Sequence, residues 1–512
     1  LPGGRVSQNA AGERRDEMLI GFMLVVLDPV GQPARSSGCR HDRLASGTSF
    51  EDASANDRRT ERNAGDPLAG AGLQMKKQIH LNLFIYSRGH HEASWRHPLA
   101  TPHALTDIEY YIDCARKAEA ACFDSIFLAD TLAAPQDTNS ASRIWLEPLT
   151  TLGSLAVTTR RIGLIATAST TYTEPFNLAR QLASLDHASR GRIGWNIVTT
   201  FSLAASHNFG SSARPTHAER YDKGDEFVEV CKQLWDSWAD GAIVDDRDRG
   251  LYARMDLIRP IDHAGSHFQV AGPLNLPRCP QGRPVLVQAG SSDTGMDFAA
   301  RHAEAVFTAH IHKTSAQAFY TELKSRVAAV GRRKDQCLIL PGLSPMIAGT
   351  EAEARRLERE LNELSAPEIG LMKLSDRFDG HDFSHLPLDR PLSPEDFPDP
   401  SQNQASRGRV ELIVSAVREE RLTMRELLGR LAGARGHYVM AGTPEQVAAV
   451  IEDWIDSGAA DGFNLMPPLL PLMLDAFTSE VVPILRRRGR FREEYRGTTL
   501  RDHYGLARPG IA

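Results

Sequence analysis

RIGWNIVTTFSLAASHNFG, residues 192–210, followed after a short polar gap by HAERY at 217–221, decides the fold. Ile193 to Val198 is an apolar β-type run with one amide, Asn196, near its carboxyl end. A loop rich in Ser, Ala and Asn comes next. His217 and Tyr221 stand four residues apart, which sets both on one face of a helix. Strand end, loop and helix start, in that order, build the rim of a parallel α/β barrel, where phosphorylated cofactors bind. Taken alone the run reads equally well as a buried strand with a structural amide, so the flanking sequence has to separate the two.

Working outward, strand-like and helix-like segments alternate from Met75 onward. Strands are expected at Ile79–Tyr86, Ser125–Ala129, Ile162–Ala168, Val285–Gln288, Ala305–Ala309, Cys337–Pro345 and Gly462–Met466. Helices are expected at Asp107–Ala121 with Thr106 as N-cap, Pro148–Val157, Phe176–Ala188, from His217 to about Trp238, from Thr294, up to Val330, and over Glu351–Leu364, Thr443–Ser457 and Leu472–Arg487. A hairpin-like segment covers Met255–Val270. The strand runs are short and apolar on both faces, the mark of a parallel sheet covered on both sides. Close to eight βα units favour one (β/α)8 TIM barrel, of the α/β class, over a doubly wound sheet. The largest insertion runs from about 366 to 436. Its stretch HDFSHLPLDRPLSPEDFPDP, at 381–400, carries too much Pro and Asp for regular structure. A long irregular stretch inside a domain reads as a lid or binding loop, with a solvated excursion as the alternative.

The chain has 512 residues, enough for a single large barrel with insertions or for two or three ordinary domains. With 59 Lys and Arg against 65 Asp and Glu the net charge is −6, and no long basic stripe offers itself to nucleic acid. The six cysteines form no CxxC pair, so neither a zinc knuckle nor a disulfide framework is indicated, and a reducing cytoplasm fits. Cys114 and Cys122 lie among apolar residues and read as small core side chains. The segment 1–74 is rich in Arg, Gly, Ser and Asp and poorly periodic; Met75 opens the strand-bearing texture. Residues 1–74 are therefore expected to be a disordered leader or a mis-called extension, and 75–505 the folded domain. The apolar run Met18–Leu27 is too short to span a bilayer as a helix, and DPVGQPARSSG after it offers no good small-x-small cleavage site.

Six blocks then match a known pattern in order: LADTL at 128–132, IATASTTYTEPFNLARQLASLDHASRGRIGWNIVTT at 165–200, AASHNFG at 204–210, HAERYDKGDEF at 217–227, VLVQAGSS at 285–292 and GTPEQVAAVIEDWIDSGAADGFNLMPP at 442–468. Together they resemble the nitrilotriacetate and dibenzothiophene-sulfone monooxygenase group of the bacterial luciferase-like superfamily. The resemblance covers Met75 to about Tyr504. It implies a two-component monooxygenase that takes FMN as FMNH2 from a separate NAD(P)H:flavin reductase and oxygenates a small organic, sulfur- or nitrogen-containing substrate with O2 through a C4a-(hydro)peroxyflavin. A homodimer or homotetramer is expected by analogy. The chain itself shows no GxGxxG opening a helix after a strand, hence no evident NAD(P)H domain. Two other readings stay open: a deazaflavin-dependent oxidoreductase on the same barrel, and a non-catalytic flavin-binding protein.

Carried over residue by residue, the resemblance implies that Asp130, Thr167 and Asn196 lie near the flavin, that His217 and Tyr221 contact it, and that Ser291 and Ser292 form its phosphate-binding turn. The chemistry is apt, since backbone N–H groups at a helix start favour an anion and Gly290 allows close approach. AGSS alone would be an ordinary turn, Asp130 a helix cap and Asn196 a structural amide. On the substrate side, RGHHEASWRHP offers His90, His91, Trp95 and His97, TAHIHK offers His310 and His312, and DGHDFS offers His381. One or two of these, with His90, His91, His312 and His381 foremost, are expected to act as acid or base, because an imidazole titrates near neutrality. A zinc site from His90, His91, His310 and His312 is conceivable from counting, but no HxxxH or HExxH pattern among them supports it. Arg88, Arg96, Arg143 and Arg377 are candidates to meet an anionic substrate; Trp95, Trp145 and Phe378 are candidates for an apolar pocket.

Overall fold

Apolar residues at consecutive positions leave a strand no solvent face, so each must be covered on both sides. In the computed structural model, which describes residues 77–134, 145–213, 215–403 and 407–511, eight such strands close into a ring. They are β1 His80–Ile85, β2 Ser125–Leu128, β3 Gly163–Ser169, β4 Ile193–Val198, β5 Val285–Gln288, β6 Ala305–Thr308, β7 Leu338–Ile347 and β8 Gly462–Leu465. Each pairs parallel with the next, and β8 returns to β1 with Asn464 opposite Asn82. The (β/α)8 barrel expected from the alternation is the observed fold. The proposed leader, the Met18–Leu27 run, Cys39 and Arg143 lie outside the described residues.

The barrel interior is a plug of side chains. Phe84, Phe127 and Phe307 meet edge to face with ring centroids 4.9–5.6 Å apart, among buried Ile165, Val287 and Leu340. At the amino ends of the strands a carboxylate precedes β2, β6 and β8. Asp124, Glu304 and Asp461 accept the N–H groups of Leu81, Leu286 and Ile339 respectively. Each also pairs with a cation, as in the buried Lys324–Asp461 contact at 2.8 Å. That end is built for stability, which leaves the opposite end for chemistry.

Several local expectations need correction. The first barrel helix, Ile108–Ala120, is capped by Asp107 rather than Thr106, because the Asp107 carboxylate accepts the Glu109 N–H. The segment 255–270 is a 3-10 turn at Met255–Leu257 and a two-residue ladder, and a further hairpin pairs Ile243–Asp246 with Leu251–Ala253. A ninth strand, Tyr438–Gly442, pairs only with the carboxyl half of β7. The insertion is irregular between 381 and 400 apart from a 3-10 turn at Pro394–Asp396, yet helices flank that stretch at Pro367–Arg377, Arg407–Glu420 and Met424–Ala434. These elements bury Leu374, Phe378, Phe383, Leu386, Phe397 and Leu427 in a core of their own. Each fully buried side chain of this kind contributes about 2 kcal/mol, so the insertion is a folded cap and not a solvated loop. Among the described residues no helix is long and apolar enough to cross a membrane.

Candidate active site

Parallel strands end together, so residues near the carboxyl tips of neighbouring strands share one rim. Thr167 on β3 lies directly opposite Asn196 on β4, and the Asn196 amide donates to the Thr167 hydroxyl at 2.8 Å. Gln288 closes β5 next to Ile197, and Asp130 follows β2. Asp130, Thr167, Asn196 and Gln288 therefore form an arc over four consecutive strands. Sequence reading missed Gln288, although it is the polar end of the quoted VLVQ. Asn196 and Gln288 are buried, and neither Asn196 Oδ1 nor Gln288 Oε1 meets a donor. A buried acceptor left unpaired is costly, so a pair of them on one rim points to a ligand that brings N–H groups. Burial, with Glu147 adding repulsion, raises the Asp130 carboxyl to about 6, against the pull of its hydrogen bond from the Thr131 N–H.

Beside the arc two helices start close together. His217 begins the helix His217–Asp236, capped by Thr216 and Glu219 in a reciprocal box. Its ring lies 4.8 Å from that of Tyr221, one turn on. Ser292 caps the helix Asp293–His302 by accepting the Gly295 N–H at 3.2 Å. A Cβ built on Gly295 would stand 3.1 Å from both Ser292 Oγ and the Tyr221 hydroxyl, and one on Gly290 would stand 3.1 Å from that hydroxyl and collide with the Gln288 amide. Hydrogen replaces a methyl at both positions because the walls touch there. Burial holds the Tyr221 phenol above its ordinary value despite the nearby Thr199 and Ser292 hydroxyls. His217 is lowered by partial burial and by Arg220. Two helix amino ends, a phenol and an imidazole thus converge on one corner, while Ser291 is exposed at its edge.

The histidines divide. His90 is buried; a carbonyl can only accept, so its Nε2–H donates to the Phe84 carbonyl at 2.8 Å and its Nδ1 accepts from the Arg435 guanidinium at 3.0 Å. Burial and that guanidinium hold it neutral, well below its ordinary pKa. His91 accepts the Ala93 N–H at Nδ1 and donates from Nε2 to Asn362, and burial again lowers it. Both rings therefore have each nitrogen engaged. His310 bonds Thr308 and Ser315 and is pushed down to about 4 by burial. His312 sits at the start of the helix Lys313–Ala329, 3.1 Å from Glu420. His381 is exposed against Phe383, on the insertion's own core. A cavity of about 1700 Å³ lies between the insertion and the tip of β7; His91, His312, Ser344, Asn362 and His437 line it, and neither His381 nor the arc residues do. Trp95 also faces this cavity, Trp145 packs against Tyr86, and Phe378 is buried in the insertion. Among the described residues no three His, Cys, Asp or Glu side chains converge as a metal ion would require.

The fold and this polar rim at the carboxyl ends of the strands define the class of an α/β-barrel enzyme. Comparison with known proteins gives the family. The luciferase-like monooxygenase profile matches residues 88–461. N-acetyl-S-(2-succino)cysteine monooxygenase of Bacillus subtilis (strain 168) is 45% identical over 434 residues, covering 85% of this chain and 98% of that protein. Nitrilotriacetate monooxygenase component A of Aminobacter aminovorans is 45% identical over 445 residues, covering 85% and 97%. The solved EDTA monooxygenase of Chelativorans sp. BNC1 superposes with a TM-score of 0.71 at 35% identity over 85% of this chain and all (100%) of its own. The chain belongs to the luciferase-like monooxygenase family, and is a flavin-dependent monooxygenase.

Proposed function

We propose that the arc and corner bind FMN, delivered reduced by a separate NAD(P)H:flavin reductase, and that the enzyme inserts one atom of O2 into a small nitrogen- or sulfur-bearing organic substrate. The observation that carries this is the pair of orphan acceptors, Asn196 Oδ1 and Gln288 Oε1, beside the two-helix corner. An isoalloxazine edge supplies N–H donors and a phosphoryl tail supplies the anion, so the donor and acceptor sets fit. One relative is named as a component A, in keeping with a second component that supplies electrons. The three relatives described above are named for substrates that join nitrogen or sulfur to several carboxylates.

When bound, reduced FMN supplies the electrons that activate O2. The residues of the chain do the rest. Thr167 and Asn196 fix one edge of the ring, and Tyr221, His217 and Ser292 take the phosphoryl end. The Phe84, Phe127 and Phe307 plug closes the barrel from below, and the capped insertion limits water from the side. Asp130, with its proton held up to about pH 6, is the group on the arc able to keep or release one at a carboxyl oxygen. His90 and His91 act as positioning residues. The test is oxygen consumption with FMN, NADH and a generic flavin reductase across a panel of amino- and thioether-carboxylates. Product formed in step with O2 supports the assignment; O2 reduced wholly to H2O2 with every panel member, together with no FMN binding, refutes it.

A further inference from the structure

Resting on that flavin reading, we propose that Arg435 recognises the substrate and selects for a carboxylate. Arg435 ends the helix Met424–Ala434 at φ 56°, a left-handed conformation that is uncommon for a non-glycine residue but frequent where a helix stops. Its guanidinium lies 3.8 Å from the centroid of the Tyr86 ring and donates to His90 Nδ1 at 3.0 Å. Tyr86 directly follows β1, so the guanidinium stands at the carboxyl rim of the barrel. His90 is in turn locked by the Phe84 carbonyl and lies over Tyr86 with the planes 25° apart. A cation is thus fixed by a neutral imidazole and an aromatic face, and neither neutralises it.

Among the described residues no carboxylate pairs with Arg435. The contrast with its neighbours is informative. Arg430, five residues earlier, is paired with Glu420, Arg425 with Asp389, and the nearby Lys373 with Glu92. Two of the four arginines singled out from sequence for an anionic substrate are used otherwise: Arg88 donates to the His103 carbonyl and Arg96 to that of Leu364. Arg435 is half-buried, and its donation to His90 comes from a single terminal nitrogen, Nη2. An oriented guanidinium without a counter-charge is complementary to a carboxylate, which it binds through two parallel N–H···O bonds.

Position assigns this cation to substrate and not to the cofactor phosphate. In the eight-strand ring, β1 lies four strands from β5 by either route, so Arg435 and the corner at Ser292 face each other across the barrel. An FMN whose tail lies at β5 and whose edge rests on β3 and β4 leaves the β1 side of the rim for the molecule being oxygenated.

The experiment uses the FMN-loaded protein titrated with iminodiacetate and thiodiacetate, and with their dimethyl esters, followed by the flavin absorbance. FMN affinity is measured first, so failure of the unmodified chain to take up FMN overturns the flavin reading before any carboxylate is added. Arg435→Met is expected to weaken both diacids at least about tenfold, leave the esters unchanged and keep FMN affinity within about twofold. Arg435→Lys is expected to recover part of the diacid affinity, since it keeps charge but not the fork. Melting temperature checks that both variants fold. The proposal is overturned if neither diacid binds the unmodified holoprotein, if acid and ester affinities fall together, or if FMN affinity falls tenfold with them.

Discussion

Replacing Thr167 and Asn196 together by Val and Leu tests the flavin cradle, because it moves stability and affinity in opposite directions. Both side chains are buried, at 4% and 3% exposure, and they bond each other at 2.8 Å. That bond stabilises the fold by about 1 kcal/mol, while the unpaired Asn196 Oδ1 costs about 1–3 kcal/mol without a ligand. Exchanging both for apolar groups of similar shape removes both effects. The flavin-free protein should therefore be as stable as the unmodified one or more stable by up to about 2 kcal/mol, with a melting temperature unchanged or raised by a few degrees. FMN, deprived of its acceptor, should bind about ten- to a hundredfold more weakly, equivalent to about 1.4–2.8 kcal/mol. Thermal melting without flavin and fluorescence titration with FMN give the two readings. An FMN affinity within twofold of the original would refute the reasoning. So would a fall of several degrees in the flavin-free melting temperature, which would make the pair a structural device.

Tyr221→Phe removes the hydroxyl at the two-helix corner, and should weaken FMN about five- to tenfold while leaving riboflavin, which lacks the phosphate, within twofold; equal loss for both would move the phosphate elsewhere. Asp130 has a folded pKa of about 6, above its unfolded value near 3.9, so it binds its proton more tightly when folded and the stability it lends below pH 4 is lost as pH rises through 6. Asp130→Asn should accordingly be more stable than the unmodified chain by about 1–2 kcal/mol at pH 7.5 and equal to it at pH 4 in urea unfolding; the same gain at both pH values would show that titration is not the cause. Glu92→Gln weakens the largely buried Glu92–Lys373 pair at 2.7 Å, which ties the first loop to the helix Pro367–Arg377. Hydrogen exchange over 367–377 should quicken about tenfold while the barrel strands stay protected, and unchanged exchange would mean the insertion is held by its apolar core alone.

The barrel was legible because the code for buried parallel strands is local: short runs such as GLIATAS and IGWNIV are apolar on both faces and bounded by turns. So was the arc, since strand tips share a rim and the polar residue near each tip is visible in sequence. What escaped had partners far away or a mixed pattern. Tyr438–Gly442 is half-buried over four of its five residues, and so lacks the apolar continuity of the ring strands. The insertion helices adjoin a Pro-rich stretch that masks their pattern, and the capping box of Thr423 and Glu426 is a local signal of the last of them. The histidines are hard to read for a different reason. A pair such as His90–His91 looks the same in sequence whether its nitrogens are free or engaged, and here Phe84, Ala93, Asn362 and Arg435 take them all. Arg435 itself gave no signal, because its partners Tyr86 and His90 lie about 345 residues earlier in the chain.

That separation has a consequence for how such a barrel changes its substrate. The groups assigned to the flavin sit on strand tips and on two capped helix starts, parts whose geometry the ring closure dictates. The group assigned to the substrate arrives on the insertion, which has its own core and whose polar contacts with the barrel include Arg435 on Tyr86 and His90, Lys373 on Glu92, the Ala432 carbonyl on the Glu92 N–H and Glu420 on His312. Most of these converge on the loop after β1. A change inside the insertion can therefore re-aim or remove the cation without moving a strand, whereas a change on the arc must disturb the packing of neighbours on both sides. Cofactor grip and substrate choice are then carried by parts of the chain with separate sources of stability, and the loop after β1 is where the two are joined.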